Sequence, residues 1–401
     1  MSTWIREVLG RRPGWMNALL AFCIFMTFVF MPWDMFVKPV AADQEAWFGL
    51  LARGWLAKAT EPIHWAIYAA GMYGFWRMRR WMWPWAALYA AQVAIGMLVW
   101  GMVYVGGVKG LFQGLLGFVP LAALAVALWR SRDRFGRRPG ALRTRYGDWA
   151  LVTGASAGIG ADFARALARE GLSCALVARR EDRLKALATE LERDHHVQTR
   201  VLPIDLAAPG GIDRLVERVA DLPVGVLVNN AGFGYAGRFD KQDTIRLEEM
   251  VRLNCIAPVA LTGRLLPGMR QRGRGAIIIV GSVAGRQPLP LHGVYSATKA
   301  FDLLLGESLW AELRGSGIDA LVLEPGPTTT EFQAVAGELA HAGEPSSQVV
   351  EAALDALGHQ PSVVSGWLNW IGANAIRLAP RSLAALGAGQ VMQQNTPVEM
   401  R

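Results

Sequence analysis

Tyr295 and Lys299 stand four residues apart in Tyr295-Ser296-Ala297-Thr298-Lys299. On a helix that spacing puts both side chains on one face. A phenol with an ordinary pKa of about 10 is a poor proton shuttle at neutral pH. A neighbouring ammonium favours the phenolate, and moving the pKa by roughly three units takes about 4 kcal/mol of differential interaction. The pair thus predicts a general acid/base, with Lys299 lowering the pKa of Tyr295. A YxxxK pair alone is common on protein surfaces, so its company matters. Ser282 closes the apolar run GAIIIVGS (275–282), where its hydroxyl can hold a carbonyl or alcohol oxygen beside the phenol. Asn254, in Leu253-Asn254-Cys255, can extend a proton relay through a water to Lys299. Taken singly, Ser282 and Asn254 read equally well as cap or turn residues.

A second constellation is Thr153-Gly154-Ala155-Ser156-Ala157-Gly158-Ile159-Gly160, between an apolar run and a helical pattern. Glycines tighten such a turn and let backbone approach a phosphate, and the following helix start offers free N–H groups and a positive dipole end. The next apolar run ends in Val177-Ala178-Arg179-Arg180. A dinucleotide without a 2′-phosphate usually meets an acid there. Two guanidinium forks suit a 2′-phosphate instead, although a solvated helix start reads the same way. Asp205 is placed to meet an adenine ring. Asn229-Asn230-Ala231-Gly232 brings backbone close to the same ligand.

These motifs, with Pro325-Gly326, follow one another in the order and at the spacings of the short-chain dehydrogenase/reductase family. The resemblance covers about residues 148–335. It implies a nicotinamide-binding Rossmann domain with an Asn254-Ser282-Tyr295-Lys299 tetrad. In that tetrad tyrosine is the acid/base, serine orients the substrate oxygen, lysine binds ribose and tunes tyrosine, and asparagine supports the relay. The cofactor set it implies is Gly154, Ser156, Gly158, Ile159, Gly160, Arg179, Arg180, Asp205, Leu206, Asn230, Ala231, Gly232, Tyr295, Lys299, Pro325, Gly326, Thr328 and Thr330. Thr330 would meet the nicotinamide amide. The arginine pair resembles members that prefer NADP(H) to NAD(H). No metal is called for.

Such residues need rigid elements to hold them. Short β-branched runs at 173–179, 197–205, 224–232, 275–282 and 318–326 alternate with helical stretches such as RLKALATELERD. Strand and helix at this spacing predict an α/β fold, a doubly wound parallel sheet of Rossmann type. The first third is different. Up to Arg145 there are 17 Lys and Arg against 6 Asp and Glu, whereas the remainder has 24 against 27, and twelve of the sixteen Trp lie before residue 130. Uncharged or nearly uncharged runs at 15–33, 62–78, 82–106 and 111–129 predict an all-α transmembrane domain of about four helices; 15–33 alone reaches roughly 28 Å at 1.5 Å per residue. The run at 15–33 is longer than the apolar region of a cleaved signal peptide.

Arginine-rich segments flank alternate spans: Arg6, Arg11 and Arg12 before the first, Arg77, Arg79 and Arg80 after the second, and Arg130 to Arg145 after the fourth. The positive-inside rule then predicts a multi-pass membrane protein with its N-terminus and catalytic domain cytoplasmic. The domain expectation is 1–130 transmembrane, 131–146 a basic linker, 147–335 catalytic, and 336–401 a substrate-side or membrane-peripheral segment. The basic excess sits among apolar runs, which favours membrane topology over nucleic acid. Three scattered cysteines imply no disulfide framework. An apolar wall (Pro288, Leu289, Pro290, Leu291) and the nearly uncharged 365–390 point to a hydrophobic, lipid-like carbonyl or alcohol as substrate. A homo-oligomer is compatible with the sequence. The rival readings are a non-catalytic nucleotide sensor and an accessory domain of a membrane transporter or scaffold.

Overall fold

The computed structural model describes residues 13–79, 81–132, 135, 140–340, 342–376 and 379–401. Arg6, Arg11, Arg12, Arg80, Arg134, Arg137, Arg138 and Arg377 lie outside these. The chain divides into two compact units, 1–138 and 139–401.

The first unit contains helix α1 (Gly14–Phe36), a hairpin of β1 (Gln44–Trp47) and β2 (Leu50–Arg53), then α2 (Trp55–Arg77), α3 (Met82–Val105) and α4 (Gly107–Arg130). Of the four predicted spans, α1, α3 and α4 are long and apolar enough to cross a membrane. The second run differs: its helix begins seven residues earlier than expected, at Trp55, and so includes Lys58 and Glu61. Glycines let α3 and α4 touch. A Cβ on Gly101 would stand 2.4 Å from the Gly110 carbonyl oxygen, and one on Gly114 3.1 Å from Leu98 Cα. Without a hydrophobic gradient between lipid and helix, such close backbone packing is what holds membrane helices together. Around the end of α1, buried Asp34, Asp43 and Glu61 are met by two ammoniums: Lys38 lies 2.8 and 2.7 Å from the first two, and Lys58 3.0 Å from Glu61.

The second unit runs α5 (Ala141–Tyr146), β3 (Trp149–Thr153), α6 (Gly158–Arg169), β4 (Ser173–Ala178), α7 (Glu181–His195), β5 (Thr199–Pro203), α8 (Gly211–Arg218), β6 (Val224–Asn229), α9 (Thr244–Val251), α10 (Ala257–Arg272), β7 (Gly275–Val280), α11 (Gly293–Glu312) and β8 (Ile318–Glu324). A short parallel pair, β9 (Thr328–Thr329) and β10 (Glu344–Pro345), brackets α12 (Phe332–Ala336). After it come α13 (Ser346–Ala356), β11 (Ser362–Val364), α14 (Trp367–Ala375) and α15 (Arg381–Asn395). Seven strands form one parallel sheet in the order β11-β8-β7-β6-β3-β4-β5. The order reverses beside β3, and ligands bind at the strand ends where that happens. Central strands are buried on both faces, which is why they read as continuous apolar runs. Leu151, Leu176, Val226 and Ile278 are fully buried.

Two boundaries are corrected. The expected linker at 131–146 ends early, because 141–146 is a helix of the second unit. Tyr146 is buried there, and its hydroxyl donates to Asp319 Oδ2 at 2.8 Å. The parallel sheet also continues past 335, since β11 adds its seventh strand beside β8.

Candidate active site

The glycine turn follows β3 and opens α6. Gly154 and Gly158 take φ of +68° and +54°, the left-handed region where a Cβ is costly. Space forbids one as well. At Gly158 it would stand 2.9 Å from Thr330 Cγ2, and at Gly160 2.3 Å from the Gly154 carbonyl oxygen. The turn after β6 is fastened to it. Thr153 Oγ1 accepts from the Asn230 and Ala231 N–H groups at 2.9 and 3.0 Å, and Asn230 Nδ2 donates to the Thr153 carbonyl at 2.9 Å. The turn therefore presents backbone and the head of α6, the arrangement a pyrophosphate requires.

A cleft of about 1090 Å³ runs over these strand ends. Its wall includes every residue of the expected cofactor and catalytic sets except Gly160, which supports the turn from behind, and Asn254. The dinucleotide of the family fits here on the glycine cradle just described. Arg179 is largely exposed, 3.9 Å from Asp205. Asp205 Oδ1 accepts the Ala207 N–H at 2.9 Å, so part of its capacity is spent on its own turn. Arg180 reaches across the cleft mouth: it donates to Ser156 Oγ at 3.0 Å and to Glu331 at 2.7 Å. Glu331 also takes Arg183, at 2.5 Å. Those guanidiniums hold the Glu331 carboxyl below its ordinary pKa.

The four side chains expected to carry the chemistry come from three elements. Tyr295 and Lys299 lie one turn apart on α11, 9% and 6% exposed. Ser282 caps the 3₁₀ turn after β7; its Oγ accepts the Ala284 N–H at 3.1 Å and donates to the Pro325 carbonyl at 3.4 Å, and its hydroxyl favours the ionised form of Tyr295. That turn is anchored by Arg286, which pairs with fully buried Glu324 at 2.5 and 2.6 Å. Asn254 sits on a π-turn, 252–256, a local distortion common at functional sites. Its Oδ1 accepts the Phe233 N–H at 3.2 Å, while its Nδ2 donates to the Phe233 carbonyl at 3.0 Å and to Thr298 at 3.1 Å. Asn254 thus lies behind Gly232, fixing the cleft wall; a Cβ on Gly232 would be 2.9 Å from its Oδ1.

Acidity is where the structure departs from expectation. Burial pushes the Tyr295 phenol above its ordinary pKa, and Lys299 and the Ser282 hydroxyl offset only part of that. Lys299 does not act alone, because its Nζ donates to the Val280 carbonyl at 2.7 Å and to Asp302 at 2.9 Å. Burial lowers the Lys299 pKa, but Asp302 and Tyr295 outweigh it, and the net direction is upward. Asp302 is 1% exposed. Sequence reasoning missed it, and its only signal was an acid three residues beyond Lys299 on an apolar helix. The substrate side was also missed. Phe332 packs on the Tyr295 ring with centroids 5.4 Å apart, His292 pairs with Glu338 at 2.9 Å, and Met392 of α15 lines the same cleft. The expected apolar wall contributes Leu289.

The comparisons with known proteins agree with this geometry. Residues 148–339 match the short chain dehydrogenase family. The chain is 31% identical to very-long-chain 3-oxoacyl-CoA reductase of Anas platyrhynchos over 69% of this chain and 89% of that protein. It is 33% identical to the Homo sapiens protein of the same name, there spanning 48% of this chain and 62% of the relative, less than two thirds of its length. A short-chain dehydrogenase from Sphingobium yanoikuyae, solved with NADPH, superposes with a TM-score of 0.53 at 34% identity, over 58% of this chain and 94% of that one. The identity and coverage of these relatives and the shared parallel-sheet fold agree, and the chain belongs to the short-chain dehydrogenase/reductase family.

Proposed function

We propose that this protein reduces the carbonyl of a long, lipid-like substrate, with a 3-oxoacyl thioester as the best candidate, using NADPH at a membrane. The observation that carries the reading is the Tyr295 phenol, buried beside Ser282 and Lys299 at the floor of a cleft whose mouth holds the glycine turn and Arg180. The reduced nicotinamide, when bound, supplies hydride. Ser282 orients the substrate oxygen, Tyr295 gives it a proton, and Lys299 steadies the phenolate left behind. Asn254 positions the wall at Gly232 through the Phe233 backbone. Gly154, Ser156, Gly158, Ile159, Asn230, Ala231 and Gly232 would hold the pyrophosphate and ribose side. Arg179 and Arg180 would grip the 2′-phosphate, Asp205 and Leu206 the adenine, and Pro325, Gly326, Thr328 and Thr330 the nicotinamide.

The substrate class draws support from the relatives' names and from the apolar surface of the chain. On α14, Trp367, Leu368, Trp370 and Ile371 are exposed, as are Leu383 and Leu386 on α15. One face of α15 lines the cleft through Met392. We assign the outer apolar faces to the bilayer, so that an acyl chain enters without crossing water. The N-terminal unit anchors the enzyme. Counting α2 as a fourth span keeps the N-terminus and the catalytic unit cytoplasmic, in line with the basic segments.

The test is NADPH oxidation by the full-length protein in detergent micelles, with 3-oxoacyl-CoA substrates of increasing chain length. Turnover should rise steeply with chain length, and NADH should support it less well. Equal turnover of small water-soluble ketones and long acyl chains would contradict the substrate assignment.

A further inference from the structure

Asp302 lies one turn beyond Lys299 on α11, and its carboxylate holds the ammonium at 2.9 Å. Both groups are almost wholly buried. Neither hydride transfer nor proton donation asks for an anion here. Burying one costs several kcal/mol unless it is well paired. Asp302 Oδ1 has no hydrogen-bond partner among the described residues, so the carboxylate is kept at some cost to the fold. Its one strong partner is the same lysine whose charge would otherwise act undiluted on the phenol.

We propose that Asp302 is a positioning residue that shares the charge of Lys299 and thereby keeps Tyr295 protonated, as the proton donor of carbonyl reduction, through the neutral pH range. The inference rests on reading Tyr295 as the acid/base. In the step it serves, the substrate carbonyl carbon accepts a hydride with its electron pair, and the nicotinamide is oxidised. The carbonyl oxygen takes the Tyr295 proton, giving the alcohol, and the phenolate regains a proton from water. A phenol already ionised cannot begin that cycle.

The groups around Tyr295 support the assignment. From α11 come Lys299 and Asp302, from the residue before that helix His292, and from the loop after α12 Glu338. Ser282 comes from the turn after β7, and Cys255 on the π-turn couples to Lys299. Lys299 and the Ser282 hydroxyl favour the phenolate, while burial, Glu338 and Asp302 oppose it. Of the two opposing carboxylates, only Asp302 also contacts the lysine.

The experiment compares the full-length protein with its Asp302→Asn variant in detergent. Ionisation of Tyr295 is read from tyrosinate absorbance, as the difference between each protein and its Tyr295→Phe counterpart. In parallel, kcat/KM for NADPH-dependent reduction of a long-chain 3-oxoacyl-CoA is followed against pH. Asp302→Asn should move both the absorbance midpoint and the alkaline fall in kcat/KM to lower pH by about one unit or more, the scale of uncovering a buried charge beside a titrating group. A side chain that merely packs would change stability and leave the midpoint in place. Should Asp302→Asn not fold, Asp302→Ser removes the charge with less bulk and the same shift applies. A midpoint that stays or rises in a folded variant overturns the proposal. Full turnover by Tyr295→Phe would instead overturn the acid/base reading beneath it, so the two failures are told apart.

Discussion

At the scale of single residues, the site is a set of polar side chains in a dry place, and their cost explains their company. Glu324 is fully buried, and its partner is Arg286. Removing one member of such a pair strands the other charge. Arg286→Leu should therefore lose about 3 kcal/mol or more in denaturant unfolding, and it should impair turnover by loosening the Ser282 turn. Tyr295 carries the pH prediction. Its phenol is raised by burial, so the proton-donating form persists to higher pH than for a free tyrosine, and reduction should hold a plateau through neutral pH and fall only in the alkaline range. A fall beginning below neutrality in the unmodified protein would be inconsistent with this. That Ser282, Tyr295 and Lys299 would line one cleft with the glycine turn was legible in the sequence because their spacing is fixed. The direction of the Tyr295 shift was not. It depends on Asp302 and on burial, and burial is a property of the packed core that no spacing of four can express.

At the scale of elements, the strands were readable as apolar runs because a parallel sheet buries both faces. Short β11, three residues in a region that reads as weakly patterned, was not. The helix α5 was hidden inside a basic run, where arginine count suggested a linker while Leu142 and Tyr146 are the buried contacts. The loop after β8 is the element whose role most needed the structure. Glu331 occupies Arg180 and Arg183, the first of which was expected to face a 2′-phosphate. Glu331→Gln should free both guanidiniums and tighten NADP⁺ binding, measured by calorimetry, by roughly two- to fivefold, the scale of an exposed ion pair. NAD⁺ affinity should be unchanged. Weaker NADP⁺ binding would mean that Glu331 helps to hold the loop in its binding form. In the first unit, the glycine contacts of α3 and α4 leave no room for a side chain, so Gly110→Leu should disrupt that helix pair and lower the yield of folded protein in detergent.

At the scale of the whole molecule, a unit with three helices long and apolar enough to cross a membrane precedes the short-chain dehydrogenase unit, and the uneven distribution of charge and tryptophan along the chain follows that division. The number of spans was less legible. The second apolar run becomes α2, whose first turns carry Lys58 and Glu61, and by length and composition only α1, α3 and α4 qualify among the described residues. The proposed four-pass topology makes a direct prediction. A membrane-impermeant maleimide added to sealed right-side-out vesicles should label Gln44→Cys on the hairpin but not Glu181→Cys on α7. Labelling of both from outside, or the reverse pattern, would place the catalytic unit on the other side. The central claim is that the Tyr295 hydroxyl is the proton donor to a carbonyl bound in this cleft. It is tested most directly by Tyr295→Phe in the full-length protein, assayed for both NADPH binding and NADPH-dependent reduction of a long-chain 3-oxoacyl-CoA. The account predicts cofactor affinity within about threefold of the parent, since an aromatic ring still fills the site, with turnover reduced at least about a hundredfold, the lower end of what a positioned acid contributes. Turnover near the parent level, with binding intact, would contradict it.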